Sequence, residues 1–301
     1  MRLFHGRDRS FALSPPLPCD KMKKKEVFDL DRRLFLRRFL LDLAVIGLLG
    51  LYLFWGNTSI GVSCYEVAAP GLPEEFSGFT IVQVSDLHNT QFGPENSRLL
   101  GRIAEESPDL IVLTGDLIDS NRTDLAVALD FAQRAAALAP TYFVQGNHDR
   151  KAYDELKTGL TAAGVTVLDN EAVTLERGGA VLPIIGLTDH STTPVDESLT
   201  ALAGEFSGFP LLLSHRPEFF GHYAGAGAGL VLSGHAHGGQ FRLPLIGGLY
   251  APGQGVFPTY DAGLHALGST QMIVSRGLGN SSFPLRLNNR PELVVVELNP
   301  A

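Results

Sequence analysis

In Ile81-Val82-Gln83-Val84-Ser85-Asp86-Leu87-His88 a short apolar run stops abruptly at an Asp-x-His pair. Four such residues are too few for a helix and read as a buried β-strand. The arrangement recurs twice downstream. Leu110-Ile111-Val112-Leu113 runs into Gly115-Asp116, and Tyr142-Phe143-Val144 runs into Gly146-Asn147-His148-Asp149. Residues 95–107 and 121–139, which separate the runs, have helical spacing and few breakers. This βαβαβ pattern predicts parallel strands with crossover helices. Ligands bind at the carboxyl ends of such strands, so the three polar clusters are expected to meet in one crevice.

A second series of apolar runs, at 181–187, 211–213, 230–232, 272–274 and 293–296, predicts a second sheet. Two of these runs end in Ser214-His215 and Gly234-His235-Ala236-His237. Residues 238–268, rich in Gly and Pro, read as an irregular loop bordering the site. The five clusters gather Asp, Asn and His without a thiolate, a donor set suited to Mn, Fe or Zn. Any one of them alone is more often a turn or a cap. Their combination and order are what point to metal chemistry.

Composition sets the limits. With 301 residues, 45% hydrophobic and 19% charged, the chain can bury one α/β core without disulfides. Cys19 and Cys64 flank an apolar segment, which argues against their pairing. The net charge of -8 hides an asymmetry: residues 1–38 hold eleven Lys/Arg against five Asp/Glu, residues 57–301 thirteen against twenty-six. An acidic domain is not expected to bind a nucleic-acid backbone.

Residues 39–56 are apolar except for Asp42 and span ~27 Å as a helix, just enough to cross a bilayer. A buried core helix would show a polar face and would not follow a basic cluster. Arg32, Arg33, Arg37 and Arg38 precede the run, so the positive-inside rule places the N-terminus in the cytoplasm and the domain outside. Arg32-Arg33-Leu34-Phe35-Leu36-Arg37 also resembles a twin-arginine export signal, with Asp31 where Ser or Thr is usual; a plain basic flank accounts for it equally well. No cleavage site follows, which favours an uncleaved anchor. Met22 offers a second start, and residues 1–21, with Pro15-Pro16 and Pro18, are expected to be disordered. The expected organisation is a basic segment over 1–38, a transmembrane or signal-anchor helix over 39–56 and a catalytic domain over 57–301.

The order Asp-x-His, Gly-Asp, Gly-Asn-His-Asp, His, Gly-His-x-His resembles the calcineurin-like metallophosphoesterase superfamily over about residues 80–239. Tyr65-Glu66-Val67, Gly71-Leu72-Pro73, Gly238-Gly239-Gln240, Gly277-Leu278-Gly279 and Arg290-Pro291-Glu292 fit its membrane-associated YkuE/YaeI-like branch and extend the likeness to 60–298. The resemblance implies a two-sheet αββα sandwich and two metal ions. Asp86, His88 and His237 would hold one, Asn147, His215 and His235 the other, and Asp116 would bridge them. It further implies phosphoester hydrolysis by a metal-bridging hydroxide, with His148 as proton donor. A lipid or envelope phosphodiester is the expected substrate, and a monoesterase on the same centre is the alternative. A noncatalytic scaffold is disfavoured because every ligand position is filled. Oligomeric state is left open. Asp149 is expected to cap the helix near Arg150 or, less readily, to orient His148. His190, Arg276 and Arg286 are further candidates for substrate contact, and His5, His222 and His265 are not.

Overall fold

The computed structural model describes residues 19–189, 199, 202, 208–281 and 283–301, with the backbone alone for 19–25. The chain divides into two units, Met1–Tyr52 and Leu53–Ala301. The described part of the first is helix α1 (Cys19–Thr58), whose last turns belong to the second. Within α1, the 33 residues Glu26–Thr58 are long and apolar enough to cross a membrane, and none of that stretch's most apolar window is buried. Arg32, Arg33, Arg37 and Arg38 lie on the same continuous helix. At 40 residues it reaches ~60 Å, about twice the hydrocarbon thickness.

The second unit is built on two six-stranded sheets. The first runs β1 (Gly61–Ala69), β16 (Glu292–Pro300), β2 (Phe79–Val84), β3 (Leu110–Leu113), β4 (Thr141–Phe143) and β5 (Thr166–Val167). Strands β2 to β5 are parallel and are joined by α2 (Ser97–Glu105), α3 (Ala126–Ala136) and α4 (Tyr153–Ala162), as the βαβαβ reading predicts. The second sheet runs β14 (Gly263–Leu267), β15 (Thr270–Val274), β9 (Leu230–Ser233), β8 (Leu211–Leu213), β7 (Ala180–Gly186) and β6 (Glu171–Arg177), with antiparallel strands at both edges. Helix α5 (Phe220–Gly225) connects β8 to β9. Residues 238–268 are more ordered than expected. They form two small hairpins, β10 (Arg242–Leu243) with β11 (Gly247–Gly248) and β12 (Tyr250–Ala251) with β13 (Gly255–Val256), and then β14.

Strand alternation creates the layers. Ile81, Leu110, Val112 and Val294 face Leu182, Ile184, Leu211 and Leu230 in one buried cluster between the sheets. Val82, Ile111, Leu113 and Val295 face the helices of the first sheet, and Leu212 and Val231 pack with Phe220 and Tyr223 on the far side of the second. Each fully buried Leu, Ile or Val contributes about 1.5–3 kcal/mol. The architecture is an αββα sandwich. One strand is not where the sequence series places it: residues 293–296 belong to β16, which lies between β1 and β2 in the first sheet. Both faces of β16 are apolar, so its pattern shows burial without naming the sheet.

Candidate metal centre

The loops after β2, β3 and β4 of the first sheet and after β8 and β9 of the second carry the polar clusters. Five of the seven expected ligands, Asp86, His88, Asp116, His235 and His237, have positive φ between 46° and 65°. Asp and His tolerate this left-handed backbone better than most side chains, yet each instance costs of order 1–3 kcal/mol and persists only where its surroundings enforce it. Glycine supplies part of that enforcement. A Cβ on Gly146 would overlap Asp116 Oδ1, and one on Gly234 would overlap Ser85 Oγ and crowd Asp86 Oδ2.

Two groups of donor atoms result, Asp86, His88, Asp116 and His237 in one and Asp116, His215 and His235 in the other. In the first, His88 Nε2 lies 3.2 Å from His237 Nε2, 3.7 Å from Asp116 Oδ2 and 3.9 Å from Asp86 Oδ1, and His237 Nε2 lies 3.4 Å from Asp86 Oδ1. In the second, His215 Nε2 lies 3.2 Å from both Asp116 Oδ2 and His235 Nδ1. Ligands ~2.1 Å from a common ion stand roughly 3.0–3.4 Å apart, so both groups are close to coordination spacing. Asp116 Oδ2 is common to the two. Its other oxygen, Oδ1, accepts the His148 backbone N–H at 2.7 Å, which fixes the carboxylate between them.

The donor atoms are mutually repulsive without a cation. His215 Nδ1 donates to the Thr114 carbonyl at 2.7 Å, leaving the neutral ring's Nε2 lone pair aimed at a carboxylate and a second imidazole. Asn147 Oδ1 is buried with no hydrogen-bond partner. Proton equilibria of the metal-free site fit this picture. Burial lowers His88 to about 4 and holds His235 and His237 well below the usual histidine range, so all three present neutral nitrogen. Burial also works against the charged form of His215, but the Asp116 carboxylate outweighs it and raises that ring to about 10. Burial raises Asp86 to about 6. A proton on His215 is what the metal-free site substitutes for an ion, and these residues fit a two-metal group.

His148 stands apart from the two groups. It is half-buried, with its ring edge-on to His88 at 4.7 Å between centroids. Its Nδ1 accepts the Ser120 backbone N–H at 3.2 Å, so in the neutral ring the proton resides on Nε2. Asp119 joins His88 and His148 in a third cluster of donor atoms. The sequence reading passes over Asp119 and Ser120, although both fall within four residues of Asp116 on the same loop.

Three further expectations are corrected. Asp149 neither caps a helix nor bonds His148: its carboxylate accepts the backbone N–H groups of Asp116 (2.7 Å), Gly146 (2.9 Å) and Ile118 (3.1 Å), tying the β3 and β4 loops together. Arg276 is engaged by Glu292 at 2.8 Å. Arg286 is fully buried and spends its guanidinium on the carbonyls of Arg276 and Gly279 and on Asn280 Oδ1, with Nη2 3.4 Å from His237 Nδ1, so it braces a loop against that ring. His190 lies outside the described residues, but its neighbour Asp189 is buried and pairs with Arg216 and with Arg150.

Residues 79–239 match the family described as calcineurin-like phosphoesterase. The chain is 35% identical over 234 residues to the metallophosphoesterase YkuE of Bacillus subtilis, covering 75% of this chain and 81% of that protein. It is 34% identical over 227 residues to the phosphodiesterase YaeI of Escherichia coli, covering 73% and 82%. A transmembrane protein with metallophosphoesterase domain from Danio rerio is 28% identical over 266 residues, covering 78% of this chain and 56% of that one. The matched segment contains every cluster described above, from Asp86 to His237, and this chain belongs to the calcineurin-like phosphoesterase family.

Proposed function

We propose that the protein hydrolyses phosphoesters, phosphodiesters in preference to monoesters, at a centre of two metal ions. Asp86, His88 and His237 would hold one ion and Asn147, His215 and His235 the other, with Asp116 available to both. The observation that carries this reading is the position of Asp116 Oδ2, shared by both groups of imidazoles. Two bound ions, Mn, Fe or Zn, would supply Lewis-acid stabilisation of the phosphoryl oxygens and an acidified water. His148, with its Nε2 proton set by the Ser120 contact, donates to the departing oxygen.

Diester preference is supported by the arginines. Arg276, Arg286, Arg216 and Arg150 are committed to Glu292, to backbone carbonyls or to Asp189, so a dianionic monoester gains no ready guanidinium partner from them. The name of YaeI points the same way. A lipid or envelope phosphodiester fits a domain tethered by α1 as a single-pass anchor. The basic residues before the apolar run support an orientation with the domain outside the cytoplasm. Lys at Arg32 and Arg33 blocks export if the twin-arginine route is used and leaves it intact if they are a basic flank.

The test is hydrolysis of bis(p-nitrophenyl) phosphate and p-nitrophenyl phosphate by the full chain in detergent, loaded in turn with each metal. Faster diester cleavage is expected. A monoester preference overturns the substrate class, and two bound ions without hydrolysis of either compound overturn the enzymatic reading.

A further inference from the structure

A cavity of about 460 Å³ opens in the Leu53–Ala301 unit between the last turn of α1 and the outer face of α2, and no metal-centre residue lines it. Arg98 and Arg102 of α2 border it on one side and Arg290 on the other. Arg290 is held in place: Nε donates to Ser59 Oγ and Nη2 to the Ile60 carbonyl, both at 3.0 Å, and the guanidinium lies 4.5 Å from the centroid of Trp55. The α2 arginines are much less constrained. Arg102 pairs at 2.7 Å with the exposed Glu105, a contact worth little in water, and the Arg98 guanidinium has no hydrogen bond or ion pair among the described residues.

This arrangement is electrostatically costly as it stands. Arg98 and Arg102 are four residues apart on one helix face, where like charges repel, and Arg98 sits in the first turn, where the helix dipole disfavours a cation. Gly101, inside the same helix, has nothing within 4 Å of where a Cβ would stand and so leaves the cavity open, at about 0.5–1 kcal/mol of helix stability. Three guanidiniums against Glu105 alone make the cavity positive. Residues 57–301 as a whole carry twenty-six acidic groups against thirteen basic ones, so the local excess runs against the domain's charge. Guanidinium forks match phosphate oxygens. The location is equally specific, because Thr58 and Ser59 line the cavity just past the apolar run and Trp55 stands near the end of that run, the position at which aromatic residues of membrane helices meet the headgroups.

We propose that Arg98, Arg102 and Arg290 bind a phosphate-bearing anion here, the headgroup of an anionic phospholipid. The inference rests on the membrane placement of α1 and is independent of the hydrolytic reading. The headgroup is held and not cleaved, because none of the metal-ligating side chains reaches the cavity lining.

Trp55 is the single tryptophan of the chain and reports on the cavity edge. The full chain in a neutral detergent is titrated with short-chain phosphatidylglycerol, phosphatidylcholine or inorganic phosphate, following Trp55 fluorescence and counting bound lipid by native mass spectrometry. Saturable binding of phosphatidylglycerol is expected, at least ten-fold tighter than either alternative. Arg98→Gln with Arg102→Gln should weaken it at least ten-fold. Gly101→Phe, which fills the cavity while keeping every charge, should abolish it. Both variants should keep the wild-type circular dichroism spectrum and metal content, which shows that they fold whether or not a phosphodiester is cleaved. Equal affinity for the two lipids, or unchanged binding in either variant, overturns the site. Inorganic phosphate binding as tightly as phosphatidylglycerol overturns the lipid as its source.

Discussion

The two sheets contribute unequal chemistry to the centre. Of the seven proposed ligands, the first carries Asp86, His88, Asp116 and Asn147, three oxygen donors and one imidazole, whereas the second carries His215, His235 and His237, imidazoles alone. The group around His88 draws three of its four side chains from the first sheet. The group around His215, with Asn147 placed in it, divides two and two. Neither sheet carries a complete site, so the centre forms only where the buried Leu, Ile and Val of the two inner faces dock. Under the proposed assignment this difference in donors would give the two ions different affinities, since oxygen-rich and imidazole-rich sites select different metals.

The largest effect should come from the one residue that both groups share. Asp116→Asn is expected to reduce hydrolysis on the order of 10³-fold and to lower the content of both metals, because it weakens a ligand to each. His88→Ala should remove about one ion per chain and leave the His215 group loaded. Elemental analysis of the two purified variants separates these outcomes, and two ions retained in Asp116→Asn would break the shared-ligand assignment.

His148→Ala should come next and should act on the reaction without acting on either group. General-acid catalysis is typically worth ~10²–10⁴-fold and matters most for a basic leaving group. Turnover of an alkyl phosphodiester should therefore fall far more than that of a nitrophenyl diester, whose leaving group needs little help, while metal content stays at the wild-type level. A common loss for both esters, or loss of metal, makes His148 a structural or ligand residue. Ser120→Ala keeps the backbone N–H that sets the His148 tautomer, so it should change the ratio of the two rates only slightly.

The first-sheet half of this site was legible in the sequence because its strands, helices and ligand loops follow one another along the chain. Ile81-Val82-Gln83-Val84 ahead of Asp86 and Leu110-Ile111-Val112-Leu113 ahead of Gly115-Asp116 declare both the strand and the residues it presents. Non-local features were not. The placement of β16 beside β1 depends on pairing Gly61 with Glu292, a contact that no local period encodes. Asp149 looks like a helix cap in sequence because it precedes a helix, yet its carboxylate turns back to backbone N–H groups of the β3 loop more than thirty residues earlier. Arg286 looks like a surface charge or a phosphate ligand, and only the fold shows that it is buried against carbonyls. The grouping of seven ligands into two sets came from family resemblance, and geometry alone shows that Asp116 Oδ2 faces both.

The smallest effect, and the one that separates the two groups most finely, is the response of metal binding to pH. His215 is raised to about 10 in the metal-free protein, above its unfolded value of ~6.5, because the Asp116 carboxylate outweighs the effect of burial. A raised histidine stabilises the folded state fully below the unfolded value and loses that contribution as pH climbs toward 10. An ion at the His215 group must displace this proton, so its affinity should increase up to about tenfold per pH unit across pH 7.5–9.5. In the other group His88 is lowered to about 4, His237 is well below the usual range and Asp86 is raised only to about 6, so all three are already deprotonated in this window. Calorimetric titration of the metal-free chain should therefore resolve one pH-dependent and one nearly pH-independent binding event, and the melting temperatures of loaded and metal-free protein should diverge as pH rises. Two events that strengthen in parallel would mean that the proton is shared across Asp116 by both groups and that the sheets do not furnish two distinct sites.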